Sequence, residues 1–104
     1  KKPIIWIGLV HVKPTNKNKD FQDINGAYVN VACLAESEQS FMEKVRFTFQ
    51  HNGFDVVEIE DIETENKLIV MNLETSEKAM LISSLTDGVE FAWGNFHTYD
   101  SEEE

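Results

Sequence analysis

The side chains best able to do chemistry at neutral pH are three histidines and one cysteine in this chain of 104 residues. His11, His51 and His97 fall in three separate predicted elements, so a metal site would require two of them to converge with a carboxylate. We therefore predict no metal site. Cys33 lies in an apolar segment and is predicted to be a buried structural thiol. A reactive thiol is the alternative, because a predicted helix begins shortly after it.

The motifs of familiar catalytic and cofactor sites are missing from the sequence. It contains no glycine-rich dinucleotide or phosphate loop, no HExxH zinc motif, no CxxC pair and no GxSxG nucleophile motif. Its acidic stretch lacks the regular spacing and central glycine of a calcium-binding EF-hand loop. We expect no cofactor, and an enzyme is less favoured than a binding protein.

Acidic residues are concentrated in one part of the chain. The sequence from Asp20 onward holds 4 basic and 19 acidic residues, a net charge of −15. Such a surface attracts basic proteins and repels nucleic acid and anionic lipid, although acids also simply keep a small domain soluble. Six acids within eleven positions are the predicted partner-binding residues: Asp55, Glu58, Glu60, Asp61, Glu63 and Glu65.

Aromatic rings are concentrated near the end of the chain. Five rings in nine residues exceed what one buried strand face needs: Phe91, Trp93, Phe96, His97 and Tyr99. On an uncovered sheet face such rings line a ligand pocket or seal a homodimer, and packing into the core is the alternative. The candidates for a pocket or dimer face are Trp6, Trp93, His97 and Tyr99.

Alternating apolar residues predict most of the strands. Residues 3–13 are apolar on both alternating faces and are predicted to form a buried strand, followed by a long polar loop over 14–26. Residues 27–35 are predicted as a strand whose odd positions form a small apolar face able to carry a helix. Further strands are predicted over 67–73 and 89–99, and the slip in alternation at the glycine of the last one indicates a bulge or bend.

The acidic stretch begins inside another predicted strand, residues 54–62. Alternation there predicts Val57 and Ile59 inward, with Glu58 and Glu60 outward and about 6.7 Å apart on one face.

Two helices are predicted between these strands. The first spans 37–52, because Ser37 is a good N-cap and Gly53 a good stop. Apolar residues recur along it at three- and four-residue spacing, namely Phe41, Met42, Val45 and Phe49. The second, shorter helix begins at Thr75 or Ser76 and ends at Asp87–Gly88.

This order of elements predicts an α+β fold. From residue 27 onward it reads βαββαβ, the split βαβ arrangement of a ferredoxin-like plait, with residues 3–13 as an additional N-terminal strand. A plait places an antiparallel sheet under two helices on one face. We expect a single domain over 1–104, with the plait core at 27–99 and an acidic tail at 100–104.

Composition excludes several classes of protein. No apolar run approaches the roughly 18 residues of a membrane-spanning helix, so we expect no membrane association. The charge argues against nucleic-acid binding. No signal-peptide pattern is visible and the single thiol suits a reducing compartment, so we expect a cytoplasmic protein.

Two functions from different classes fit these patterns best, and a purely structural or assembly component is a third alternative. The first is a small acidic protein-binding module that neutralises or regulates a basic partner such as a toxin or nuclease. The alternative is a dimeric small-ligand sensor or enzyme whose aromatic-lined pocket uses Trp93, His97 and Tyr99.

Overall fold

The computed structural model describes residues 3–18, 25–66 and 76–99, which form an antiparallel sheet of five strands and two helices. The α+β class is as predicted from the sequence, whereas the predicted strand over 67–73 and the acidic tail over 100–104 lie outside the described residues. The elements in chain order are β1 (Ile4–Pro14), β2 (Gly26–Ala35), α1 (Glu38–His51), β3 (Phe54–Thr64), α2 (Ser76–Thr86), β4 (Phe91–Trp93) and β5 (His97–Tyr99).

The strand order does not confirm the plait. β1 lies between β2 and β3, and β4 and β5 both pair with the other edge of β2. The N-terminal strand is therefore a central strand of the sheet, in the place that a plait gives to its third core strand. Its sequence is apolar on both faces, which suits a strand with neighbours on either side and helices above and below.

The two helices pack on opposite faces of the sheet, which corrects the prediction that both lie on one face. Successive residues of a strand point to opposite faces. Val31 and Cys33 of β2 pack in one cluster with Phe41 of α1, whereas Ala32 between them packs with Leu81 of α2. The side of the sheet under α1 is called the first face, and the side under α2 the second face.

The first helix follows its sequence signals closely. The Ser37 side chain accepts a hydrogen bond from the Ser40 amide at 3.1 Å, and Gly53 ends the helix with a φ of +86°, where a side chain would be strained. The residues predicted to face the sheet, Phe41, Val45 and Phe49, are fully buried. Together with the odd positions of β2 they seal the first face.

The predicted strand over 89–99 is interrupted near Gly94, as the slip in alternation indicated. Trp93 lies opposite Val31, and His97 lies opposite Tyr28. The three residues between Trp93 and His97 therefore stand against only two residues of β2. This extra residue reverses the faces on either side of the break. Trp93 therefore belongs to the first face, whereas His97 lies on the second.

Candidate functional site

The second face is only partly covered by the described residues. α2 packs over Ile7, Ala32 and Ala92, towards one end of the sheet. Towards the other end lies a depression of about 590 Å³, here called the ring pocket. Its lining residues come from β1, β2, β3 and β5 and are His11, Lys13, Tyr28, Val57, His97, Thr98 and Tyr99.

Two bulges in β3 control which of its residues reach the second face. Val57 is the extra residue of the first bulge, because His11 pairs with Glu58 while Val12 pairs with Val56. The prediction that Val57 points inward is wrong: 49% of it is exposed, and Val56 packs against the core in its place. A bulge depends on the partner strand, so alternation within β3 could not reveal it.

The second bulge lies where Gly8 of β1 faces two residues of β3, Asp61 and Ile62. Asp61 has a φ of +52° and is the only described residue other than glycine with a positive φ. Aspartate tolerates this left-handed conformation better than most residues do. Asp61 lines a second depression of about 390 Å³ together with Lys78 of α2, and that depression shares Tyr28 and His97 with the ring pocket.

These bulges bring four of the six predicted acids onto one face. Asp55, Glu58, Glu60 and Glu63 pair with Lys13, His11, Leu9 and Ile7 of β1, whose side chains alternate with those that pack under α1. In a regular strand the odd spacings between residues 55 and 58, and between 60 and 63, would place them on opposite faces. The four residues are here called the acid column. Glu65 follows the strand and is half-buried.

Three rings of the ring pocket belong to a row of side chains that crosses four strands and begins outside the pocket lining, at Glu58. Glu58, His11, Tyr28 and His97 lie directly opposite one another in successive strand pairs. The His11 and Tyr28 rings stack with their centroids 4.4 Å apart and an interplanar angle of 15°. The row therefore joins one carboxylate to three rings on a single surface.

Tyr99 completes the pocket from the adjacent row. Its hydroxyl and His11 Nε2 share a hydrogen bond at 2.5 Å, and its ring centroid is 5.9 Å from that of Tyr28. Tyr99 reaches this position by lying across Gly26 of β2: a Cβ there would be 2.6 Å from Tyr99 Cζ. Only glycine leaves room for this ring, so the cluster formed by the rings of His11, Tyr28 and Tyr99 depends on the glycine at position 26.

The Glu77 side chain links α2 to the second face of the sheet through two hydrogen bonds. Its carboxylate accepts hydrogen bonds from Asn30 Nδ2 at 2.6 Å and from the Asn95 amide at 2.9 Å. The hydrogen bond from Asn30 and then that from the Asn95 amide hold the pKa of Glu77 below its usual value of 4.5. The carboxylate lies over Gly94, whose missing side chain makes this approach possible.

The predicted pocket residues do not all meet. His97 and Tyr99 line the ring pocket. Trp6 lies on the first face, where it stacks on Phe41 and donates a hydrogen bond to the Ala35 carbonyl at 3.1 Å. Trp93 packs against Phe49 on the same first face and is 39% exposed at the edge of the sheet.

His11 and Tyr28 line the ring pocket but are not among the pocket residues predicted from the sequence, where His11 is considered only as a metal ligand. Both lie on predicted strands, and a signal was present in His11, a polar ring within the otherwise apolar run of β1. Tyr28 lies on the side of its own strand that faces away from the small apolar face. Their meeting with Tyr99 follows from strand pairing over more than 70 residues, which local patterns do not encode.

Metal and thiol chemistry have little support among residues 3–18, 25–66 and 76–99. They contain no group of three or more His, Cys, Asp or Glu side chains placed to hold a metal ion. Cys33 is buried on the first face, and burial raises the pKa of its thiol from 9.0 to about 11. The thiol is thus protonated at neutral pH, as expected for a structural cysteine.

Comparison of the chain with protein-family models, curated proteins and solved structures finds no match. None of the helices in the described part of the chain is long and apolar enough to cross a membrane.

Proposed function

We propose that this chain is a protein-binding module that docks a basic partner on the part of its second face that the described residues leave uncovered. The observation that carries the proposal is the acid column, since two bulges are needed to place its four carboxylates on one face. The column borders the ring pocket. An aromatic centre with a charged border is typical of protein-binding surfaces.

Charge supports a basic partner of the kind that a neutralising or regulatory module would bind. The chain has a net charge of −10, and the acid column concentrates negative potential along β3. Such a potential speeds association with a basic partner and is weakened as salt screens it. The same potential opposes nucleic acid, so the mobility of DNA or RNA in a gel should be unchanged by this protein even at low salt.

The test is a charge reversal with a matched control. The test variant, Glu58→Lys/Glu60→Lys, reverses two charges of the acid column. The control, Asp87→Lys/Glu90→Lys, changes the net charge by the same amount, but its residues lie beside β4, at the other edge of the sheet. With an octalysine peptide as probe, the first variant should slow association about tenfold at low salt and flatten its salt dependence. The control should have a much smaller effect.

Stability should distinguish a lost site from a damaged fold. Surface charges contribute little to folding, so both variants should unfold within about 0.5 kcal/mol of the parent chain. Equal slowing by the two variants would mean that net charge alone attracts the probe, and the proposal would fail. In lysate from the native source, the same pair of variants should differ in retaining a basic partner.

A small-ligand sensor or enzyme is the second candidate. It is favoured by the hydrogen bond between His11 and Tyr99 inside a pocket of about 590 Å³, a volume that suits a small molecule. Native mass spectrometry of the purified chain separates the two functions. A stoichiometric small molecule that is lost in His11→Ala would favour the ligand site over the protein-binding module, and the same spectrum would report a dimer.

A further inference from the structure

We propose that the ring pocket is the anchor of this docking face and receives an arginine side chain of the basic partner. This inference rests on the proposed function and adds the chemical identity of the group bound. It distinguishes arginine from lysine, which the acid column alone does not do.

The geometry of the pocket suits a flat cation. His11 is held by its stacking on Tyr28 and by its hydrogen bond to Tyr99, so the ring surface is formed before a partner arrives. His97 is exposed and lies opposite Tyr28 across the β2–β5 pair. A guanidinium group is planar and stacks on aromatic faces, whereas an ammonium is a compact and strongly hydrated charge.

Charge around the pocket favours a cation over an anion. Glu58 begins the row that contains His11 and Tyr28, so a carboxylate stands at the β3 side of the rings. Lys13 is the one lysine that lines the pocket, and it lies directly opposite Asp55, a residue of opposite charge, in the β1–β3 pair. The methyl groups of exposed Val57 offer an apolar contact for the aliphatic part of an arginine side chain.

The experiment compares octaarginine with octalysine as probes by isothermal titration at fixed low salt. Tyr28→Leu keeps most of the apolar volume and removes the ring, and His97→Ala removes an exposed ring with little risk to folding. Each should weaken octaarginine binding roughly two- to fivefold and leave octalysine binding unchanged. Phe47→Leu is the control, because that ring is 72% exposed on α1, away from the second face.

The outcomes separate this inference from the proposed function. If Glu58→Lys/Glu60→Lys weakens both peptides while Tyr28→Leu and His97→Ala weaken neither, the acid column is a docking site and the arginine anchor is wrong. If ring removal weakens both peptides equally, the pocket does not select the guanidinium and the inference also fails. If the acid reversal acts no more strongly than Asp87→Lys/Glu90→Lys, the proposed function itself is wrong.

Discussion

The two faces of the central strands β1 and β2 differ although they come from alternate residues of the same segments. On the first face the odd positions of β2, from Ala27 to Ala35, are fully buried under α1. On the second face the strands present apolar residues under α2 at one end and polar rings at the other. We therefore expect the first face to contribute most of the stability, and the ring end of the second face to contribute less.

The largest effect should follow from removing a ring of the first face. Phe49→Ala deletes a fully buried side chain that contacts the rings of Phe54, Phe91, Trp93 and Phe96. We expect a loss of about 3–5 kcal/mol in the free energy of unfolding, measured by urea denaturation. His97→Ala on the second face should cost about 0.5 kcal/mol or less. Comparable losses in the two variants would mean that the two faces contribute equally to stability.

The thiol of Cys33 reports how well the first face is sealed. Its pKa of about 11, against the usual 9.0, leaves about a hundredfold less thiolate at pH 8 than an exposed cysteine has. Iodoacetamide should therefore alkylate the native protein at least about a hundredfold more slowly than the urea-unfolded chain. Rapid labelling of the native protein would show that α1 leaves the face open.

The ring cluster of the second face should depend on the missing side chain of Gly26. Gly26→Ala places a methyl group where the Tyr99 ring lies, and should cost about 1–3 kcal/mol of stability. The measurement is a double-mutant cycle with Tyr99→Ala, in which the cost of Gly26→Ala should largely disappear. An undiminished cost in the Tyr99→Ala background would place the strain elsewhere in β2.

A smaller effect is expected from Glu77, which joins α2 to the second face. Because the folded-state pKa of Glu77 is lowered, its contribution to stability is present above its usual pKa of 4.5 and is lost as the pH falls through the lower folded value. Glu77→Gln should therefore reduce the fall in unfolding free energy between neutral and acid pH. The check is urea denaturation at several pH values. An unchanged pH dependence would mean that the Glu77 carboxylate does not form these hydrogen bonds in solution.

The sequence was a good guide where the structure depends on neighbours along the chain. The apolar spacing of Phe41, Val45 and Phe49 located α1, and Ser37 and Gly53 marked its ends. The glycine at position 94 located the break in the last strand. Each of these features depends on residues that are close together in the sequence, so the residue types alone are enough to predict it.

The sequence was a poor guide where the structure depends on strand pairing. The bulges at Val57 and Asp61 arise from the match of β3 to β1, and they decide which acids share a face. α2 packs on the second face over residues of three strands, Ile7, Ala32 and Ala92, whose meeting on that face depends on how the strands pair. His11 and Tyr28 likewise became site residues only once Tyr99 was paired beside them.

The central position of β1 also sets a condition on the order of folding. This strand leaves the ribosome before β2 and β3, yet its pairing with β3 joins Trp6 to Thr64 and is complete only after Thr64 has emerged. Long loop closures of this kind slow folding, because their entropy must be lost before the contacts form. Until then one edge of an apolar strand stays exposed, and a chain stalled during synthesis between β2 and β3 would be open to aggregation through that edge.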